Sequence, residues 1–225
     1  MKPLDHRAVM ASRREPPNAL DFFPTPPFAT RALCELLRER GSNLMGSDAW
    51  DPAAGEGHMA GPLGEYFHHV EASDVFDYGR GFRVFDFLAP REHVFRPHWI
   101  ITNPPFKTSL EFARVALKVA RAGVALLVRT SWLEGGERYR DLFADRPPSL
   151  IAQFSERVPM TRGRWDPAAT TATSYCWVVW LLRGTRGRTE FTWLPPGTRA
   201  RCTRPDDARL YGVRTDAPLL DLAGA

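Results

Sequence analysis

The segment Gly123–Thr130 reads GVALLVRT, and every residue from Val124 to Val128 is apolar. A strand with one wet face alternates apolar and polar side chains. A strand that is apolar at each position must be covered on both faces, as happens in a parallel sheet packed between helices. Ser109 to Arg121 (SLEFARVALKVAR), just upstream, has apolar residues at helical spacing and Ser109 where an N-cap belongs. The pair predicts a helix running back over a buried parallel sheet.

The rest of the chain repeats this alternation from Pro26 onward. Thr30 to Arg40 (TRALCELLRER) reads as a helix that stops at Gly41. Strands are expected near Ser47–Ala53, Val70–Val75, Val84–Leu88, Trp99–Thr102, Leu150–Val158 and Tyr175–Leu182. Strands and helices in turn within one domain imply an open, doubly wound, mostly parallel α/β sheet. Three regions are expected: a polar N-terminal arm over 1–20, one α/β domain over 21–182, and a basic, proline-rich extension over 183–225.

Composition removes several classes. With 44% hydrophobic and 25% charged residues, the 225-residue chain has the balance of a globular protein. Cys34, Cys176 and Cys202 are widely spaced with no CxxC pair, which argues against a disulfide scaffold or a zinc site. The most apolar run, Tyr175 to Leu182, is too short to span a bilayer, and the N-terminus has no secretory apolar core. A cytoplasmic protein is expected. The net charge of +4, carried almost wholly by arginine, allows a polyanionic partner without requiring one.

In parallel sheets ligands bind beyond the carboxyl ends of the strands, and the polar motifs cluster there. The first is WDPAAGEG. It offers Asp51 at a strand end and a turn whose Gly55 and Gly57 let backbone approach a ligand closely. The Rossmann GxGxxG pattern is absent, and without a GK[ST] a P-loop is excluded. A carboxylate here attracts an ammonium group rather than a phosphate. Asp74 closes the second strand, where an acid can hold the hydroxyls of a ribose. Asp86 closes the third, beside Phe87, placed to accept from an adenine amino group. Each aspartate alone reads as turn chemistry. Taken in order they describe a site for an adenosine that carries a cationic amino acid, which is S-adenosylmethionine.

The fourth strand ends in IITNPPF. Asn103 has a side-chain carbonyl, Pro104 a main-chain carbonyl, and two consecutive prolines stiffen the turn. Two rigid acceptors beside the Phe106 ring suit a planar amino group. Accepting its two hydrogens localises the nitrogen lone pair, so that it can attack a sulfonium methyl without a covalent enzyme intermediate. Stacking of a base on Phe106 is worth roughly 1–3 kcal/mol, the order of the cost of extracting a base from a duplex. A bare turn is the competing reading.

Over about Phe22 to Leu182 the chain resembles the class I S-adenosylmethionine-dependent methyltransferases that act on exocyclic amines. It looks most like the N6-adenine DNA methyltransferases, in particular short phage or prophage types with the gamma-like motif order found in restriction-modification. The resemblance implies a Rossmann-like fold, a flipped adenine of DNA as target, no metal, and a bacterial or phage-encoded origin. It further implies that Phe22, Phe23, Thr25 and Pro26 of FFPTPPF cover the cofactor. Asp51, Ala53, Gly55, Gly57, Asp74, Val75, Asp86, Phe87 and Asn103 would bind it, and Asn103, Pro104, Pro105 and Phe106 would form the catalytic tetrapeptide. Such enzymes usually carry a separate target-recognition domain, and none is apparent, so selectivity would fall to loops or to a second subunit in a homodimer. Relatives with NPPF methylate RNA guanine and relatives with NPPY methylate protein glutamine. These substrates, and a non-catalytic nucleic-acid-binding module, are the alternatives.

Basic loops would meet the nucleic acid. Lys107 adjoins the tetrapeptide. Arg157, Arg162 and Arg164 surround Trp165 in RVPMTRGRWDPAATTATSY, and Trp165 and Tyr175 are both candidates for the aromatic that packs on a flipped base. Arg138 and Arg140 follow a Gly135–Gly136 hinge, and the extension adds Arg183, Arg186, Arg188, Arg199, Arg201 and Arg204 as a DNA arm or a solvated tail.

Overall fold

A computed structural model describes residues 21–90, 95–183 and 187–212. The expected N-terminal arm, Arg186 and the chain beyond 212 lie outside the described residues.

The strands are β1 (Asp48–Asp51), β2 (His69–Asp74), β3 (Arg83–Val84), β4 (Trp99–Thr102), β5 (Gly123–Arg129), β6 (Leu150–Phe154), β7 (Tyr175–Leu181) and β8 (Glu190–Leu194). They form one sheet in the order β3-β2-β1-β4-β5-β7-β6-β8. Only β7 runs antiparallel to its neighbours β5 and β6. The chain winds outward in one direction through β1, β2 and β3 and in the other from β4. The switch point therefore lies between β1 and β4, which pair at Ala49↔Trp99 and Trp50↔Ile100. That crevice is where a doubly wound sheet binds ligands.

β5 confirms the two-sided burial expected of an all-apolar strand. Ala125 and Leu127 join the core with helix α1 (Pro27–Glu39) through Leu33 and Leu37. Val124, Leu126 and Val128 join the opposite core with helix α3 (Ser109–Val119) through Phe112, Ala113, Ala116 and Leu117. Each fully buried leucine or valine contributes on the order of 1.5–3 kcal/mol. The short helix α2 (Ala60–Leu63) follows the glycine turn.

Several boundaries differ from the sequence reading. Ser109 is the first residue of α3 and not its cap; its hydroxyl donates to the Phe106 carbonyl at 3.0 Å and accepts from Trp132 Nε1 at 2.8 Å. β3 spans two residues, because Phe87 turns inward to meet Trp50 edge-on. The segment read as an extension contributes β8, which pairs with β6 from Leu150↔Glu190 to Phe154↔Leu194. It also supplies helices α4 (Thr198–Cys202) and α5 (Asp207–Tyr211). α5 is fixed by the buried Arg31, whose guanidinium meets Asp207 in two bonds of 2.7 Å and Glu65 in bonds of 2.8 and 2.9 Å. Arg199 donates to the Pro167 carbonyl, Arg201 pairs with Glu35 at 3.4 Å and Arg204 with Glu65 at 2.8 Å. These three arginines serve the fold, which contradicts a free basic arm at their positions. Among the described residues no helix is long and apolar enough to cross a membrane.

Candidate active site

A cleft of about 270 Å³ opens at the carboxyl ends of β1, β2, β3 and β4. Its lining includes Asp51 and Ala53 after β1, Asp74 and Val75 after β2, Asp86 and Phe87 after β3, and Asn103 and Pro105 after β4. Phe22, Phe23 and Thr25 close it from above. Asp51, Asp74, Asp86 and Asn103, far apart in sequence, meet here because each stands at or just beyond the carboxyl end of a parallel strand of one sheet. Gly55, Gly57, Pro26, Pro104 and Phe106 are not among the residues that line the cleft.

Asp51 is buried, and β4 holds it: Thr102 donates its hydroxyl to Oδ1 at 2.7 Å. Oδ2 is buried and has no hydrogen-bond partner among the described residues. Burial, only partly relieved by the Thr102 hydroxyl and the Ala53 N–H, pushes the carboxyl from its ordinary 3.8 up to about 7. A cation placed against Oδ2 would restore it to the charged form.

Asp74 accepts the Gly55 N–H at 2.9 Å and the Phe76 N–H at 3.1 Å, tying the glycine turn to the end of β2. Burial raises its pKa against those bonds. Gly55 has φ +52°, and a Cβ there would lie 2.5 Å from the Phe22 ring, so both the turn and the strap above it require glycine. Asp86 is exposed and accepts the Leu88 N–H at 2.9 Å, while Phe87 is buried beside it.

The strap Asp21–Thr25 lies directly on the tetrapeptide. Asn103 Nδ2 donates to the Phe23 carbonyl at 2.9 Å and points also to Met160 Sδ at 3.7 Å. With its amide thus oriented, Asn103 Oδ1 is left buried and without a partner. Asp21 accepts the Phe106 N–H at 2.5 Å, and the Phe23 and Phe106 rings lie 5.0 Å apart. The Arg129 guanidinium sits 3.8 Å over the Phe106 ring.

The loop from Ser155 to Ser174 follows β6, whose carboxyl end is on the cleft side of the sheet. It reaches the strap through Gly163 N–H to the Phe22 carbonyl at 2.9 Å. Lys107, Arg157, Arg162 and Arg164 are exposed. Arg157 donates to the Ala172 carbonyl at 3.0 Å. Trp165 and Tyr175 are 5% and 3% exposed and line no part of the cleft, so neither offers a base the open face expected of it. Their apolar bulk packs inward. Arg138 bonds the Trp132 carbonyl at 2.6 Å and braces its own loop.

Sequence reasoning missed His58, Tyr78, Thr108 and Phe112, all of which line the cleft. Tyr78 stacks on Phe22 at 4.8 Å. His58 directly follows Gly57, the one signal that pointed to any of them.

No protein-family model matches the sequence, and no curated protein aligns with it. Solved structures do match. A candidate class I S-adenosylmethionine-dependent methyltransferase from Listeria monocytogenes superposes with TM-score 0.58 at 11% identity, over 85% of this chain and 72% of that one. A candidate RNA methyltransferase from Pyrococcus horikoshii gives TM-score 0.53 at 18% identity, over 78% and 96%. A methyltransferase subunit of a type I restriction-modification system from Streptococcus thermophilus gives 0.58 at 11% identity, over 76% and 47%. The chain thus spans about half the length of that last protein. The fold is the Rossmann-like α/β fold of class I methyltransferases.

Proposed function

We propose that this protein transfers a methyl group from S-adenosylmethionine to the exocyclic N6 amine of adenine in DNA. The observation that carries the reading is Asn103 Oδ1, a buried acceptor with no partner among the described residues, set on a rigid turn that lines the cleft. An unsatisfied buried acceptor costs roughly 1–3 kcal/mol, so its persistence at such a turn calls for a donor from outside.

The cleft fits the cofactor by the chemistry of its donor set. Asp51 Oδ2, without a hydrogen-bond partner among the described residues, suits an ammonium; Asp74 suits ribose hydroxyls and Asp86 an adenine amino group. When bound, S-adenosylmethionine supplies a methyl activated by a sulfonium. The chain's own residues do the rest. Asn103 Oδ1 and the Pro104 carbonyl accept the two hydrogens of the target amine and draw its nitrogen toward a tetrahedral form. The strap fixes Asn103 through the Phe23 carbonyl, so the acceptor cannot rotate away. Holding the amine in line supplies much of the rate enhancement.

Phe106 is the stacking surface. A base entering there displaces Arg129, exchanging an exposed cation–π contact of about 0.5–1 kcal/mol for a stacking contact of about 1–3 kcal/mol. The exchange favours the base. The exposed Lys107, Arg157, Arg162 and Arg164 suit a phosphate backbone. The restriction-modification subunit among the structural neighbours favours DNA. An RNA base is the second reading, favoured by the near-complete coverage of the candidate RNA methyltransferase.

The test is incubation with methyl-labelled cofactor and, separately, DNA, RNA and protein, followed by mass identification of the product. N6-methyladenine from DNA, lost in Asn103→Ala with unchanged thermal stability, is expected. Label in no substrate, or full activity in Asn103→Ala, overturns the reading.

A further inference from the structure

We propose that His58 binds the amino-acid portion of the cofactor, its Nδ1 accepting a hydrogen bond from the ammonium group. The inference rests on the reading of the cleft as an S-adenosylmethionine site and deepens it.

His58 follows the glycine turn and lines the same cleft as Asp51 and Asn103, yet it is only 5% exposed. Its Nε2 lies 2.8 Å from the main-chain carbonyl of Tyr211 in α5. A carbonyl only accepts, so Nε2 carries the hydrogen and Nδ1 of the neutral ring presents a lone pair. Burial lowers the ring's pKa, which keeps it neutral. Nδ1 is buried and has no hydrogen-bond partner among the described residues. The imidazole is therefore an acceptor fixed in one tautomer and one orientation by a helix that is itself clamped through Asp207 to Arg31.

The ligand's chemistry says which donor meets it. S-adenosylmethionine offers hydrogens from its ammonium, its ribose hydroxyls and its adenine amine. Asp74 and Asp86 stand at the ends of β2 and β3 for the latter two. Asp51 and His58 flank the turn after β1, which leaves the ammonium. Asp51 contributes charge there and His58 direction, since a neutral lone pair accepts along one line. A protonated imidazole would repel the same group.

The test is calorimetric binding of three ligands to the full chain, His58→Ala and His58→Gln. S-adenosylmethionine and its decarboxylated form keep the ammonium, whereas methylthioadenosine lacks it. His58→Ala is expected to weaken the first two about tenfold or more and to leave methylthioadenosine within about twofold. His58→Gln, whose carbonyl can accept, recovers part of the loss. In wild type the ¹⁵N resonance of His58 Nδ1 should shift on adding either ammonium-bearing ligand and hold still with methylthioadenosine. Equal weakening of all three ligands, or of none, overturns the assignment while leaving the cofactor reading intact. Failure of the wild type to bind any of the three overturns the cofactor reading and the role of His58 together.

Discussion

Asp51→Asn separates what the fold tolerates from what the cleft requires. The carboxyl is buried, its Oδ2 lacks a partner, and burial raises its pKa from 3.8 to about 7. Between those values the folded chain holds a proton that the unfolded chain has released. Stability therefore falls as pH rises from about 4 through about 7, and the penalty is fully developed above it. For this fully buried group the full penalty is of the order of 4 kcal/mol. Asparagine keeps the acceptor for the Thr102 hydroxyl but buries an amide donor at the site of Oδ2, which costs roughly 1–3 kcal/mol. The variant should thus be more stable than wild type at pH 8 by roughly 1–3 kcal/mol, or about 2 to 12 °C in Tm for a chain of this size. At pH 4 the advantage disappears or reverses. Differential scanning calorimetry of both proteins across that range reads the difference directly. The same substitution removes the charge opposite the ammonium, so S-adenosylmethionine affinity should fall tenfold or more, and wild-type affinity should itself decline below pH 7. A stability difference of the same sign and size at pH 4 and pH 8 would show that Asp51 carries no raised pKa in the folded chain.

Two further substitutions probe the frame around the site. Asp207→Asn breaks the doubly bonded contact with the buried Arg31, and loss of one partner of a buried pair costs roughly 3–5 kcal/mol, visible as a lowered denaturant midpoint. Gly55→Ala forces a side chain into φ +52° and against Phe22, at about 1–3 kcal/mol of strain, and thermal unfolding should register the loss together with weakened cofactor binding.

The sheet was legible wherever local pattern and tertiary burial agreed. The all-apolar β5, the amphipathic α3 and the β4 turn were found with near-correct bounds because covering helices are adjacent in sequence. β8 escaped, since Phe191 and Trp193 lie exposed on an edge strand between arginine- and proline-rich stretches, and its partner β6 is 40 residues back in register. The Arg31–Asp207 contact spans 176 residues and leaves no local trace. In the cleft, Asp51, Asp74, Asp86 and Asn103 were readable because topology alone brings strand ends together. The Phe23 carbonyl that orients Asn103 was not, being a main-chain atom whose role depends on how the strap lies. How Trp165 and Tyr175 pack was not legible for the opposite reason: aromatic composition next to arginines says nothing about which way a ring turns.

The central claim is that Asn103 and the Pro104 carbonyl hold an amine facing the cofactor's sulfur across the crevice between β1 and β4. A crystal structure of the complex with S-adenosylhomocysteine tests it most directly. The adenosine is expected along Asp74 and Asp86, the ammonium at Asp51, and the sulfur turned toward Asn103 within the reach of a methyl transfer. Sulfur directed away from Asn103, or a cofactor bound outside the crevice, would contradict it.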